Sequence, residues 1–132
     1  MHAKGTFEVK VAPQPADDYA DAKLQGRMTI DKQWQGNIEG TSKGQMLTGM
    51  SEVKGSGAYV AIEVFTGAIG GKRGTLTFHH TGIMERGAPS LTILIVPDSG
   101  TGALSGITGK LTIDIKDGKH FYDLEYSLPA AQ

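Results

Sequence analysis

Short runs in which apolar and polar residues alternate, each closed by glycine, recur along this chain, and no segment of useful length keeps a helical apolar period. Successive side chains of a strand point to opposite faces, so these runs read as half-buried strands and the glycines as turns between them. With 19 glycines spread through 132 residues, the expected class is all-β, in a single domain over residues 1–132. A chain of this length buries roughly two-thirds of its unfolded surface, enough for one core.

The clearest stretch is AYVAIEVFTGAIGGKRGTLTFHHTGIM, residues 58–84. Tyr59 to Thr66 is β-branched and aromatic, which suits a pleated surface. Gly67, Gly70, Gly71 and Gly74 then interrupt it, and Thr75 to Met84 returns. On the return limb Leu76, Phe78, His80 and Met84 share one parity, and Thr75, Thr77, His79 and Thr81 the other. The first set is expected inside, so His79 and His80 point to opposite faces and form no chelating pair. On the outgoing limb Val60, Ile62 and Val64 compete with Tyr59, Ala61, Glu63 and Phe65 for the inner face. If Glu63 faces inward, a two-residue turn at Gly70 and Gly71 sets it opposite Phe78 with His80 diagonal. A four-residue loop from Gly70 to Arg73 sets it opposite His80. Either register keeps the pair within about 5 to 8 Å between β-carbons.

Elsewhere, Lys4 to Val11 alternates, and Pro13 to Ala22 is a polar loop with room for one helical turn at most. Gln25 to Trp34 is a strand with Met28 and Ile30 on one side, and Gly36 to Met50 is a weaker one. Glu52 to Gly57 and Glu85 to Pro89 are turns around the central hairpin. Ser90 to Val96 is apolar on both faces, so its outward side, Leu94 and Val96, is a candidate subunit contact or is covered by a loop. Pro97 to Gly109 is a glycine-rich loop, Lys110 to Lys116 alternates, Asp117-Gly118 signals a hairpin, and His120 to Leu128 closes the chain. Eight strand-like segments fit a closed antiparallel barrel whose interior is filled by side chains or holds one small ligand. A sandwich of two four-stranded sheets is the alternative.

The net charge of −1 is evenly spread and forms no basic stripe, so no nucleic-acid partner is expected. No membrane partner is expected either, since no apolar run reaches spanning or signal-peptide length. The absence of cysteine excludes thiol chemistry, and cytoplasmic localisation is the default expectation. The four histidines lack ligand spacing, so no metal and no cofactor is expected. Gly100, Gly102 and Gly106 precede a strand rather than a helix, and Gly70-Gly71-Lys72 is followed by Arg73 rather than Ser or Thr. Both glycine clusters therefore read as turns, not phosphate loops.

The segments GTSKGQML (40–47), GSGAYVAIEVFTG (55–67), GTLTFHHTGIM (74–84), VPDSGTGALSGITG (96–109) and DGKHFYDLEYSL (117–128) resemble a family of small bacterial proteins of unknown function. That family is typified by Shewanella proteins and has an allene oxide cyclase-like barrel. The likeness covers nearly the whole chain, with the five motifs in order. It implies a closed antiparallel eight-stranded barrel, similar in architecture to plant allene oxide cyclases and dirigent proteins, but not their chemistry. Family members tend to carry a basic residue where this chain has Val64, which implies Val64 outside and Glu63 inside. They also tend to be acidic where it has Ala103.

The expected lumen lining is Tyr59, Glu63, His80, His120, Tyr122 and Tyr126, with Phe65, Phe78, Ile93 and Ile113 around them and Trp34 at the rim. Glu63 and His80 are the candidate catalytic pair, and Tyr59, Phe78, Tyr122, Tyr126 and Trp34 the candidate ligand-binding residues. Three functions follow as expectations. The first is a barrel that binds a small apolar organic ligand. The second is an isomerase or cyclase using Glu63 and His80 as acid and base. The third is a packed structural barrel in which the pair is merely buried and satisfied. A homo-oligomer is expected in each case.

Overall fold

The computed structural model describes residues 1–15 and 24–129. Eight strands follow in order: β1 (His2–Gln14), β2 (Gln25–Gly36), β3 (Ile38–Met50), β4 (Gly57–Ile69), β5 (Lys72–Glu85), β6 (Ala88–Ile95), β7 (Thr108–Lys116) and β8 (Lys119–Ser127). Each pairs antiparallel with the next, and β8 returns to β1, so the sheet closes into a barrel rather than a sandwich. The expected polar loop from Pro13 to Ala22 begins later, because β1 runs to Gln14; most of the rest lies outside the described residues. Within Pro97 to Gly109 the chain adds one 3-10 turn, Gly102–Leu104, which glycine content alone does not signal.

The central hairpin turns on Gly70 and Gly71, whose φ angles of 58° and 81° are the left-handed pair a tight two-residue hairpin turn requires. That turn fixes Glu63 opposite Phe78 and Ala61 opposite His80. Tyr59, Ala61, Glu63 and Phe65 therefore share the inner face, and Val60, Ile62 and Val64 stand outside.

One end of the barrel is plugged. The connection from β6 to β7 lies along the lower half of β5, where the Thr101 N–H donates to the Thr75 carbonyl (2.9 Å) and the Thr77 N–H to Ser99 Oγ (3.1 Å). These bonds stand in for the ladder that β6 no longer supplies, and they seat Leu104 and Ile107 in the core. At the other end the inward parity persists but burial does not: Val11, Met84 and Ile115 face the axis and are exposed.

Trp34 corrects the expectation of a rim position. It is buried at the centre of the core, with the rings of Phe7, Phe65, Phe78 and Tyr122 between 5.1 and 6.0 Å from its own. Its Nε1–H donates to Ser42 Oγ at 2.7 Å, which satisfies the one polar atom of the indole. Burying such a ring removes about 150–250 Å² from water, an upper estimate of roughly 4–6 kcal/mol apiece.

Candidate functional site

β3, the weaker strand of the sequence pattern, carries small inward residues at mid-strand, and these make room for the polar centre. Ser42 and Gly44 sit between β2 and β4, opposite Lys32 and Ile30 on one side and Phe65 and Glu63 on the other. A β-carbon at Gly44 would come within 3.0 Å of the Glu63 Cα. With no side chain there, Lys32 reaches past β3 to Glu63.

Lys32 Nζ donates to Glu63 Oε1 at 2.9 Å, and His80 Nε2 bonds the same oxygen at 2.8 Å. An ionised carboxylate only accepts, so Nε2 carries the proton of that bond. Glu63 is 0% exposed, and Lys32 and His80 are each 4% exposed. The Lys32 ammonium also lies 4.6 Å from the Phe7 ring centroid and 5.2 Å from that of Trp34, where the ring faces favour a cation. Glu63 Oε2 is buried and has no hydrogen-bond partner among the described residues.

Burial pushes the Glu63 carboxyl up. The hydrogen bond from His80 and the charge and hydrogen bond of Lys32 outweigh it, so the group titrates below its ordinary range. Burial also raises the Tyr59 phenol, and the Glu63 charge raises it further. Glu63 is thus a fixed anion that holds a lysine and a histidine, and it is closed to any direct encounter with solvent.

Tyr59 connects this centre to the outside. Its ring lies 6.5 Å from that of His80 and over Gly82, where an added β-carbon would meet the ring at 2.3 Å. Its other side lines a cavity of ≈ 290 Å³ at the open end, walled by Met50, Ile83, Met84, Pro89 and Leu91, with no charged residue in its lining.

The structure puts Glu63 on the inner face, the parity that the sequence left open, and so brings it to His80 with Tyr59 beside them. The other candidates lie elsewhere. Phe78 and Trp34 are core residues. The Tyr122 hydroxyl accepts from the Ile38 N–H (2.9 Å) and donates to the Gln35 carbonyl (2.7 Å), which ties β8 to the β2–β3 turn. Tyr126 is buried towards the plugged end, near Gly70. His120 is half-buried against Phe7. Lys32 is the residue that sequence reasoning missed. The signal was present, since Lys32 shares the parity of Met28 and Ile30, but a lysine in a strand is ordinarily a solvated residue.

Fold and site define a small closed barrel with a plugged end, an open apolar end and a buried lysine–glutamate–histidine centre. Residues 3–126 match the model of a family described as "Protein of unknown function (DUF3224)", and the chain belongs to that family. It is similar to the crystal structure of a DUF3224 protein of unknown function from Shewanella oneidensis MR-1, with 39% identity and a TM-score of 0.92 over 99% of this chain and 98% of that one. No curated protein matches the chain.

Proposed function

We propose that the barrel binds a small, uncharged, apolar organic molecule at its open end. The observation that carries this reading is the ≈ 290 Å³ cavity walled by Tyr59, Met50, Met84 and Leu91 without a charged side chain. Concave apolar sites of roughly this size, with few polar groups, are where small ligands bind. Methionine's unbranched, polarisable side chain adapts to irregular guests.

The acid–base reading, an isomerase or cyclase, draws support from the contiguity of cavity and centre through Tyr59. In that reading His80, behind Tyr59, is the member of the pair that acts, and Glu63, sealed and doubly bonded, is its positioning residue. The same proposal has the protein working in the cytoplasm as a homo-oligomer. A cysteine-free chain needs no oxidising compartment to fold, and the outer surface carries large apolar residues.

N-phenyl-1-naphthylamine, neutral and fluorescent in apolar sites, is the probe. Saturable enhancement is expected with the native chain. The pair Met84→Gln and Leu91→Gln is expected to weaken it about tenfold or more, since burying one such side chain is worth roughly 1.5–3 kcal/mol. No saturable signal, or equal affinity in that variant, would overturn the reading and leave the packed structural barrel. Native mass spectrometry of protein from its own host would name the ligand class, and turnover of that ligand separates catalysis from binding.

A further inference from the structure

The barrel is closed by very unequal seams. β5 and β6 pair from Phe78 and Ile95 up to Glu85 and Ala88, and β7 and β8 pair over the whole of β7. Between β6 and β7 the pairing consists of Ile93 with Leu111 and Leu94 with Lys110. Above those rungs, Ala88–Thr92 of β6 and Thr112–Lys116 of β7 face each other with no ladder between them among the described residues.

The backbone direction at this gap follows from the alternation of hydrogen bonds along an antiparallel strand. The Val96 N–H donates to the Thr77 carbonyl of β5, so Leu94, Thr92 and Ser90 also address β5, and Ile93, Leu91 and Pro89 address β7. Leu111 stands opposite Ile93, so Ile113 and Ile115 direct their amides and carbonyls towards β6. These same residues carry the inward side chains. Ile93 and Leu111 at the last rungs are 0% and 2% exposed, whereas Leu91 is 40% and Ile115 63% exposed. The gap therefore presents backbone donors and acceptors at a two-residue repeat, with apolar side chains on the lumen side. Thr92, Ser90, Thr112 and Asp114 lie on the outer side.

We propose that this seam takes an extended segment of a partner polypeptide as an added strand, with apolar residues at its inward positions and small polar residues at its outward ones. Directional groups repeating along a strand edge are satisfied by another extended chain, and an apolar small molecule offers nothing to them. Pairing starts on β7, because Ile113 and Ile115 each offer an amide and a carbonyl, while Pro89 offers a carbonyl only. Pro89 also opposes continuous edge-to-edge pairing of β6 with β6 of a second copy, since it would stand in the ladder without a donor. The partner's inward side chains would enter beside Leu91 and Pro89, which also wall the apolar cavity. The inference goes beyond the ligand reading and does not need it.

The test uses the full ¹⁵N-labelled chain and a short peptide alternating valine and threonine, with a copy N-methylated on alternate amides as control. Saturable shifts centred on Ile113 and Ile115 are expected, with amide exchange at both slowed about tenfold at near-saturating peptide. The methylated copy is expected not to bind. Ile115→Pro removes an amide that addresses the gap, together with an exposed side chain, and takes no donor from the ladder with β8, so it should keep the native spectrum elsewhere and abolish peptide binding. Four results would overturn the proposal: both amides already protected in the free protein, equal binding of the methylated peptide, unchanged binding to Ile115→Pro, or the same shifts appearing with protein concentration alone, which would make a second copy the occupant.

Discussion

Glu63 Oε1 accepts from both Lys32 and His80, so the three side chains stand or fall together. Removing one partner of a buried charge pair leaves the other uncompensated and typically costs about 3–5 kcal/mol, whereas losing one hydrogen bond to a carboxylate that keeps its counter-charge costs about 1.5–3 kcal/mol. Lys32→Met is therefore expected to destabilise more than His80→Gln, and Lys32→Met with Glu63→Gln less than the sum of the two. Denaturant unfolding of the singles and the double checks this, and additive losses would show that the ion pair has no energetic coupling. Acid supplies a second reading of the same carboxylate. Its folded pKa lies below the usual 4.5, so Glu63 contributes stability that is complete above that value and is lost as pH falls through the lower folded value. The stability gap between the native chain and Glu63→Gln should accordingly narrow on acidification from neutral pH to below 4.5. A gap that stays constant across that range would mean the carboxylate gains nothing from its partners.

At the scale of strands, the lower half of β5 depends on a loop rather than on a neighbouring strand, and Gly74 is where the two touch. A β-carbon there would meet the Thr101 carbonyl oxygen at 1.9 Å. Backbone must move to admit it, so Gly74→Ala is expected to cost about 1–3 kcal/mol and to expose the Leu104 plug. Faster amide exchange at Thr101 and Leu104, with β1 to β3 unaffected, is the measurement; an unchanged melting temperature would mean the loop is not held where it lies. The strands themselves were legible because alternation is a local property, and the inward parity of Phe78 and His80 followed from it directly. The register of β4 on β5 was not, because both turns compatible with the glycines leave Glu63 near His80, and only the backbone of Gly70 and Gly71 decides. Trp34 was misplaced for a different reason. Strands in a barrel tilt and stagger, so the end of β2 lies beside Phe7 and Tyr122 at mid-barrel rather than at a rim, and no local pattern states that stagger. Lys32 was passed over although its parity matches Ile30, because its partner sits two strands away, across Ser42 and Gly44, and no pattern local to β2 names it.

For the whole molecule, the outer wall governs assembly. Val60, Ile62 and Val64 on β4, with Leu47 on β3 and Leu94 on β6, are between 43% and 59% exposed. In register, Leu47 stands beside Val60, so four of the five lie on the adjacent strands β3 and β4, and Leu94 lies across His79 of β5 from Ile62. Val96, expected to extend this surface, is half-buried instead. A contiguous apolar patch of this kind favours association, and closed symmetry lets one patch serve both copies. A symmetric dimer or trimer is the expected state. Ile62→Lys places a charge at the centre of the patch, and at an outward position in an isolated barrel such a change is worth within about 0.5 kcal/mol of stability. The variant should therefore keep its melting point as a monomer while light scattering loses the larger species. A native chain that scatters as a monomer at high micromolar concentration sinks the expectation. An Ile62→Lys variant that remains oligomeric moves the contact off this wall, and the unpaired seam between β6 and β7 is then the next surface to examine.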